Sequence, residues 1–95
     1  MFSGSIVGRL GKDPELRQTT AGPLCSFTVA TDHGFGEKKR TTWTKCVVFG
    51  KQAENASKWL FKGGRVACSG DVYLDEWTGR EGDKRVTRTM DVRSW

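Results

Sequence analysis

Five short stretches of alternating residue character, set apart by turn-forming clusters, constrain this chain more than any other feature. They run Phe2 to Leu10, Leu24 to Thr31, Thr41 to Phe49, Arg65 to Trp77 and Arg85 to Arg93. In the second, Cys25, Phe27 and Val29 alternate with Ser26, Thr28 and Ala30. In the fourth, Val66, Cys68, Val72 and Leu74 share one parity, and Tyr73, Asp75 and Trp77 the other. In the last, Val86, Arg88, Met90 and Val92 alternate with Thr87, Thr89, Asp91 and Arg93. A period of two is what a half-buried strand requires, because successive side chains leave opposite faces. Thr20-Ala21-Gly22-Pro23, His33-Gly34-Phe35-Gly36, Gly63-Gly64 and Thr78 to Asp83 supply the turns. One segment alone has helical spacing. Between Lys51 and Lys62, Ala53, Ala56, Trp59 and Leu60 repeat at three to four residues, and Lys62-Gly63-Gly64 is a stop signal.

The order is three strands, a helix, then two strands, and 95 residues leave no room for a second core. That order predicts an all-β fold: a five-stranded barrel with one helix between strands 3 and 4, spanning 1–95 as a single domain. This is the oligonucleotide/oligosaccharide-binding (OB) fold, whose strand 2–3 face and adjoining loops take ligands.

The third strand carries the chemistry. At strand period Trp43, Lys45, Val47 and Phe49 share one face, with Thr44, Cys46 and Val48 behind it. Two rings around an ammonium suit an unpaired nucleic-acid strand, since bases stack on the rings and phosphates meet the cation. On this strand alone the competing reading, that both rings are core, stays open. Net charge is +5, from 16 Lys and Arg against 11 Asp and Glu, which favours a polyanionic partner.

Other features narrow the class. Cys25, Cys46 and Cys68 are odd in number, far apart and without a CxxC pair, which argues against a zinc site or a disulfide framework and fits a reducing compartment. Each lies in a β-like run, where a small buried hydrophobe is the expected role. No apolar run approaches the ~20 residues of a membrane-spanning helix, and Met1 to Leu10 does not resemble a signal peptide. Asp71, Asp75 and Glu76 are the densest acids on a strand, and Asp75 and Glu76 leave opposite faces, so no enzyme is expected, and no metal or cofactor. His33 reads as neither ligand nor base. Asp13-Pro14-Glu15 reads as a capped turn, with Asp13 at the N-cap and Pro14 at the first helical position. Trp59 is expected to pack against the barrel end, and Trp95 is read as either an interface residue or a chain-end remnant.

Most of the chain resembles bacterial-type single-stranded DNA-binding proteins. The pieces that carry the resemblance are Val7-Gly8-Arg9-Leu10-Gly11-Lys12-Asp13-Pro14-Glu15-Leu16-Arg17, Phe27 to Thr31, Thr42-Trp43 with Val47-Val48-Phe49-Gly50-Lys51, the helix Ala53 to Gly63, Gly70 and Trp77-Thr78. The resemblance implies a core domain that binds and protects single-stranded DNA without sequence preference, in replication, recombination and repair. It places base stacking on Trp43, Phe49 and Trp77, with Phe35 as the nearest equivalent of a tryptophan in the family's longer strand 2–3 loop. Tyr73, on the same face of its run as Trp77, joins the nucleic-acid-binding set. Lys45, Arg9, Arg17, Lys38, Lys39, Arg40 and Lys51 are the expected phosphate neutralisers, although Lys38-Lys39-Arg40 reads equally as a solvated charge run.

The resemblance further implies a homo-oligomer, a tetramer or a dimer, and a cytoplasmic, nucleoid-associated location. Thr44 stands where the family has a histidine associated with assembly. Asp75 and Glu76 stand where many relatives are basic, which alters the expected DNA path near Trp77. The family's acidic-tipped tail, which recruits replication and repair proteins, has no counterpart up to Trp95; it was either removed or is not used. A primosomal replication-restart adaptor, a relative that holds partner proteins as well as DNA, is the alternative, and RNA in place of DNA also stays open.

Overall fold

Alternating burial along each strand builds the architecture. The computed structural model describes residues 2–34 and 36–95, without the side chain of Lys38. The described residues form six strands: β1 (Ser3–Leu10), β2 (Glu15–Thr19), β3 (Gly22–His33), β4 (Arg40–Phe49), β5 (Arg65–Thr78) and β6 (Lys84–Ser94). Among the described residues one α-helix, α1 (Lys51–Trp59), lies between β4 and β5, and a short 3-10 turn spans Gly36–Lys38. Cys25, Phe27 and Val29 of β3, Thr44, Cys46 and Val48 of β4, Val66 and Cys68 of β5 and Met90 of β6 all point into one core.

The sheet order is β1-β5-β6-β4-β3-β2, and β1 pairs with β3 as well, through Arg9↔Ala30 and Leu10↔Val29. Five strands therefore close into a ring, the expected barrel, and β2 is a sixth strand hairpinned onto the outer edge of β3. Neighbours are antiparallel except β4 and β6, which run parallel from Lys45↔Thr89 to Val47↔Asp91. The β5–β6 register shifts from Ser69↔Ser94 to Gly70↔Val92, so Arg93 is the extra residue of a bulge in β6. Such a bulge bends the strand, and here it falls opposite the point where β5 passes from its β1 pairing to its β6 pairing.

The helix is set by Gly50, which turns the chain out of β4 at φ 77°, a left-handed backbone that favours glycine. Ala53 and Ala56 form the buried stripe, with Leu60 partly buried just beyond. The helix ends at Trp59, short of the expected Lys62, and Trp59 is 70% exposed, so it does not pack against the barrel as expected. Trp95 does pack against the core.

Asp13-Pro14 starts no helix. The Asp13 carboxylate instead accepts the backbone N–H of Lys62 at 2.8 Å, tying the loop after α1 to the end of β1. The exchange Leu10 N–H to Gly64 C=O (3.0 Å) and Gly63 N–H to Leu10 C=O (2.8 Å) fastens the same junction. Asp13 is thus not the N-cap of a local helix but a tie to a segment far away in sequence.

Candidate nucleic-acid interface

The outward rows of the β2-β3-β4 sheet can be read from strand register, because directly opposed residues leave the same face. The rows are Arg17–Leu24–Phe49, Glu15–Ser26–Val47, Thr28–Lys45, and Arg9–Ala30–Trp43. Trp43 is 54% and Phe49 56% exposed, which excludes the core reading for both rings. Val47, on the same parity, is buried at 8% exposure, flanked by Ser26 on β3 and Asp91 on β6. Leu24 and Val47 thus form an apolar floor from which the cation and the two rings project.

Gly11 shapes the seat of Trp43. A methyl group on Gly11 would lie 2.5 Å from Cζ3 of the indole and 3.0 Å from Cη2, so the ring rests where only a glycine leaves room.

Beyond Lys45, the β5–β6 hairpin adds the second tryptophan. Three adjoining depressions join these elements. One of about 450 Å³ is lined by Lys45, Asp75, Glu76, Trp77 and Thr87. A second, of about 300 Å³, reaches from Trp43 and Lys45 to Lys12, Asp13 and Glu15. The third, of about 290 Å³, lies between Trp43, Leu74, Val86 and Arg88. Thr87 lines all three, and Lys45 lines two. Trp43, Lys45 and Trp77 are therefore neighbours on one continuous, shallow face.

Trp77 is held from two directions. Its indole N–H donates to the Thr87 hydroxyl at 2.8 Å, and the Arg85 guanidinium lies 5.3 Å from its ring centroid. Arg85 in turn pairs with Asp83 at 2.9 Å. Asp75, on the floor, accepts the Thr89 hydroxyl at 3.1 Å.

The remaining expected residues divide. Arg17 shares a row with Phe49 and pairs with Glu15 at 3.4 Å, both side chains exposed. Lys51 is exposed at the start of α1, just past Phe49. Arg9 shares the Trp43 row but also lines a separate depression with Asp32, Lys39 and Arg65. Lys39 pairs with Asp32 at 3.5 Å, while Arg40 sits opposite His33 at the hairpin end. The Thr41 hydroxyl, 2.8 Å from Asp32, and then the Lys39 ammonium hold that carboxylate below its ordinary pKa. Tyr73 shares an outward row with Thr89 and Lys45 but lines none of the three joined depressions. Its hydroxyl donates to Asp91 at 3.2 Å, and it lines an apolar depression with Phe2, Val72 and Leu74. Burial, and then the Asp91 carboxylate, push the Tyr73 pKa up. Phe35 and the Lys38 side chain lie outside the described residues.

Lys12, Gly11, Arg85, Thr87 and Arg88 were not among the expected site residues. Trp77↔Arg85 follows by counting outward from the turn at Gly79 to Gly82, so that partner was legible in the hairpin itself.

Two comparisons bear on this face and its scaffold. Residues 1–94 match the Single-strand binding protein family. The fold is similar to the crystal structure of a small single-stranded DNA-binding protein from Streptomyces coelicolor, with a TM-score of 0.88 and 22% sequence identity over 98% of this chain and 90% of that one.

Proposed function

The chain belongs to the single-strand binding protein family, and on that premise we propose that it coats single-stranded DNA without sequence preference, by stacking bases on exposed rings and meeting phosphates with cations. One observation carries the reading: Trp43 and Trp77 stand exposed on either side of Lys45 along joined depressions. Every base has a π face, so stacking tolerates any sequence, and each ring contributes ~1–3 kcal/mol. The acidic residues Asp75 and Glu76 lining the depression of Lys45 and Trp77 repel phosphate. Bases are therefore directed inward and the backbone outward, towards Lys12 and Arg88 at the ends of the face. Phe49, flanked by Arg17, extends the stacking face along β4.

Such a coat prevents re-annealing and shields exposed strands during replication, recombination and repair; it needs no catalytic group. One barrel offers ~4–16 nucleotides of groove. Association into a homo-oligomer, a tetramer by family resemblance, multiplies that reach through effective concentration.

Tryptophan fluorescence titrated with oligo-dT, at low and high salt and against a duplex control, tests the function. Quenching that saturates at a fixed nucleotide count, weakens with salt and is absent with duplex is the expected result. No quenching by single strands would sink the coating function and favour a protein-binding adaptor.

A further inference from the structure

Trp77 sits in a frame of its own. Arg85 is its directly opposed partner across the β5–β6 ladder, and Thr87, opposite Asp75, is its diagonal neighbour on the same face. Arg85 lies against the ring, 5.3 Å from its centroid, while Thr87 takes the indole N–H at 2.8 Å. The guanidinium is itself anchored: Arg85 Nε donates to Asp83 at 2.9 Å. Asp83 belongs to a turn closed by Gly79 N–H to Asp83 C=O (2.8 Å) and Gly82 N–H to Gly79 C=O (3.0 Å).

This arrangement restricts what Trp77 can do. An indole at 46% exposure with a free N–H would swing about its side-chain torsions, and freezing it on binding would cost affinity. Here the polar edge is tied down and Arg85 covers the ring. The depression that Trp77 shares with Lys45, Asp75, Glu76 and Thr87 is not lined by Arg85, so the side opening onto it is the side left for a ligand. A guanidinium against an indole is also held by the ring's own quadrupole, which favours a planar cation at that place.

We infer that Thr87 and Arg85 are positioning residues that preset Trp77 to receive one base on the side facing Lys45, and that Arg85 serves as the back-plate of this ring in place of a phosphate contact. This deepens the proposed single-strand binding and rests on it. It assigns two residues of β6 to the binding face that act through Trp77 alone.

The test is a double-mutant cycle on the full chain, read by anisotropy of a labelled oligo-dT of about 15 nucleotides across a salt series. Thr87→Val and Arg85→Ala should each weaken binding ~3- to 10-fold, a fraction of the loss in Trp77→Ala, and Thr87→Ser should restore it. Neither variant should change the slope of log affinity against log salt. Both losses should vanish in the Trp77→Ala background, which a general effect on folding would not produce. A loss that persists without Trp77, a slope reduced by ~0.7 in Arg85→Ala, or full affinity in Thr87→Val overturns the assignment. If the unmodified protein binds no oligo-dT, the proposed function itself fails, and the assignment with it. If Trp43→Ala weakens binding while Trp77→Ala does not, the function stands and only this inference is lost.

Discussion

Replacing Gly11 with alanine separates the fold from the function. The added methyl group would lie 2.5 Å from Cζ3 and 3.0 Å from Cη2 of Trp43. Carbon atoms rest at about 3.5–4.0 Å, so the indole must retreat by about 1 Å. It can do so cheaply, because Trp43 is 54% exposed and few neighbours confine it. Gly11 is not among the glycines of positive φ, so alanine fits its backbone, and a stiffer unfolded chain returns ~0.4–1 kcal/mol. Stability should therefore change by less than about 1 kcal/mol in either direction. Binding should not be spared. If Trp43 contributes ~1–3 kcal/mol by stacking, a ring displaced by a third of a stacking distance should lose at least about 1 kcal/mol, or roughly 5-fold in affinity. Urea unfolding and oligo-dT titration of the same preparation give both numbers, with Trp43→Ala as the ceiling. Affinity within about twofold of the parent would refute the claim that ring placement matters. A loss of more than about 3 kcal/mol in stability would show that Trp43 is structural instead.

Two further outcomes follow from the geometry. Lys45→Met should lower the salt slope of oligo-dT binding by ~0.7, the share of one single-strand phosphate contact; an unchanged slope would mean that Lys45 meets no phosphate. Tyr73 is the protein's only tyrosine, so its phenolate absorbance can be followed alone in an alkaline titration. Its pKa should lie above 10.0, so the stability that it contributes is present below that value and is lost as pH rises through the folded-state pKa. Asp91→Asn should bring the value down but not fully back, since burial is the larger cause. Titration at or below 10.0 in the parent would contradict the partly desolvated, carboxylate-facing hydroxyl.

What could be read from the sequence was whatever depends on neighbours along one strand. The alternation of β4 puts Thr44, Cys46 and Val48 inside and leaves Trp43, Lys45 and Phe49 outside, as the structure has them. Val47 breaks that rule because its burial comes from Ser26 and Asp91, contributed by two other strands. β2 escaped notice for a related reason. Its residues, Glu-Leu-Arg-Gln-Thr, are all exposed, so there is no apolar period to detect; the ladder to β3 alone makes it a strand. Asp13 was expected to cap a local helix that does not form; the N–H it accepts lies 49 residues further along, beyond any local rule. Gly11 beneath Trp43 is a contact between the end of β1 and β4, invisible until the ring of strands closes.

That closure also sets a timetable for synthesis. β1, the first of these strands to be made, takes its long pairing from Arg65 to Asp71 of β5 and must wait for the strands between them. β6, the last, is inserted between β4 and β5 and joins them. Until residues 84–94 have left the ribosome, β4 and β5 each expose an unpaired edge, the kind of surface on which nascent chains pair wrongly with one another. The strand that carries Arg85 and Thr87 thus also covers both open edges, and a substitution there can lower yield by a route separate from any effect on binding.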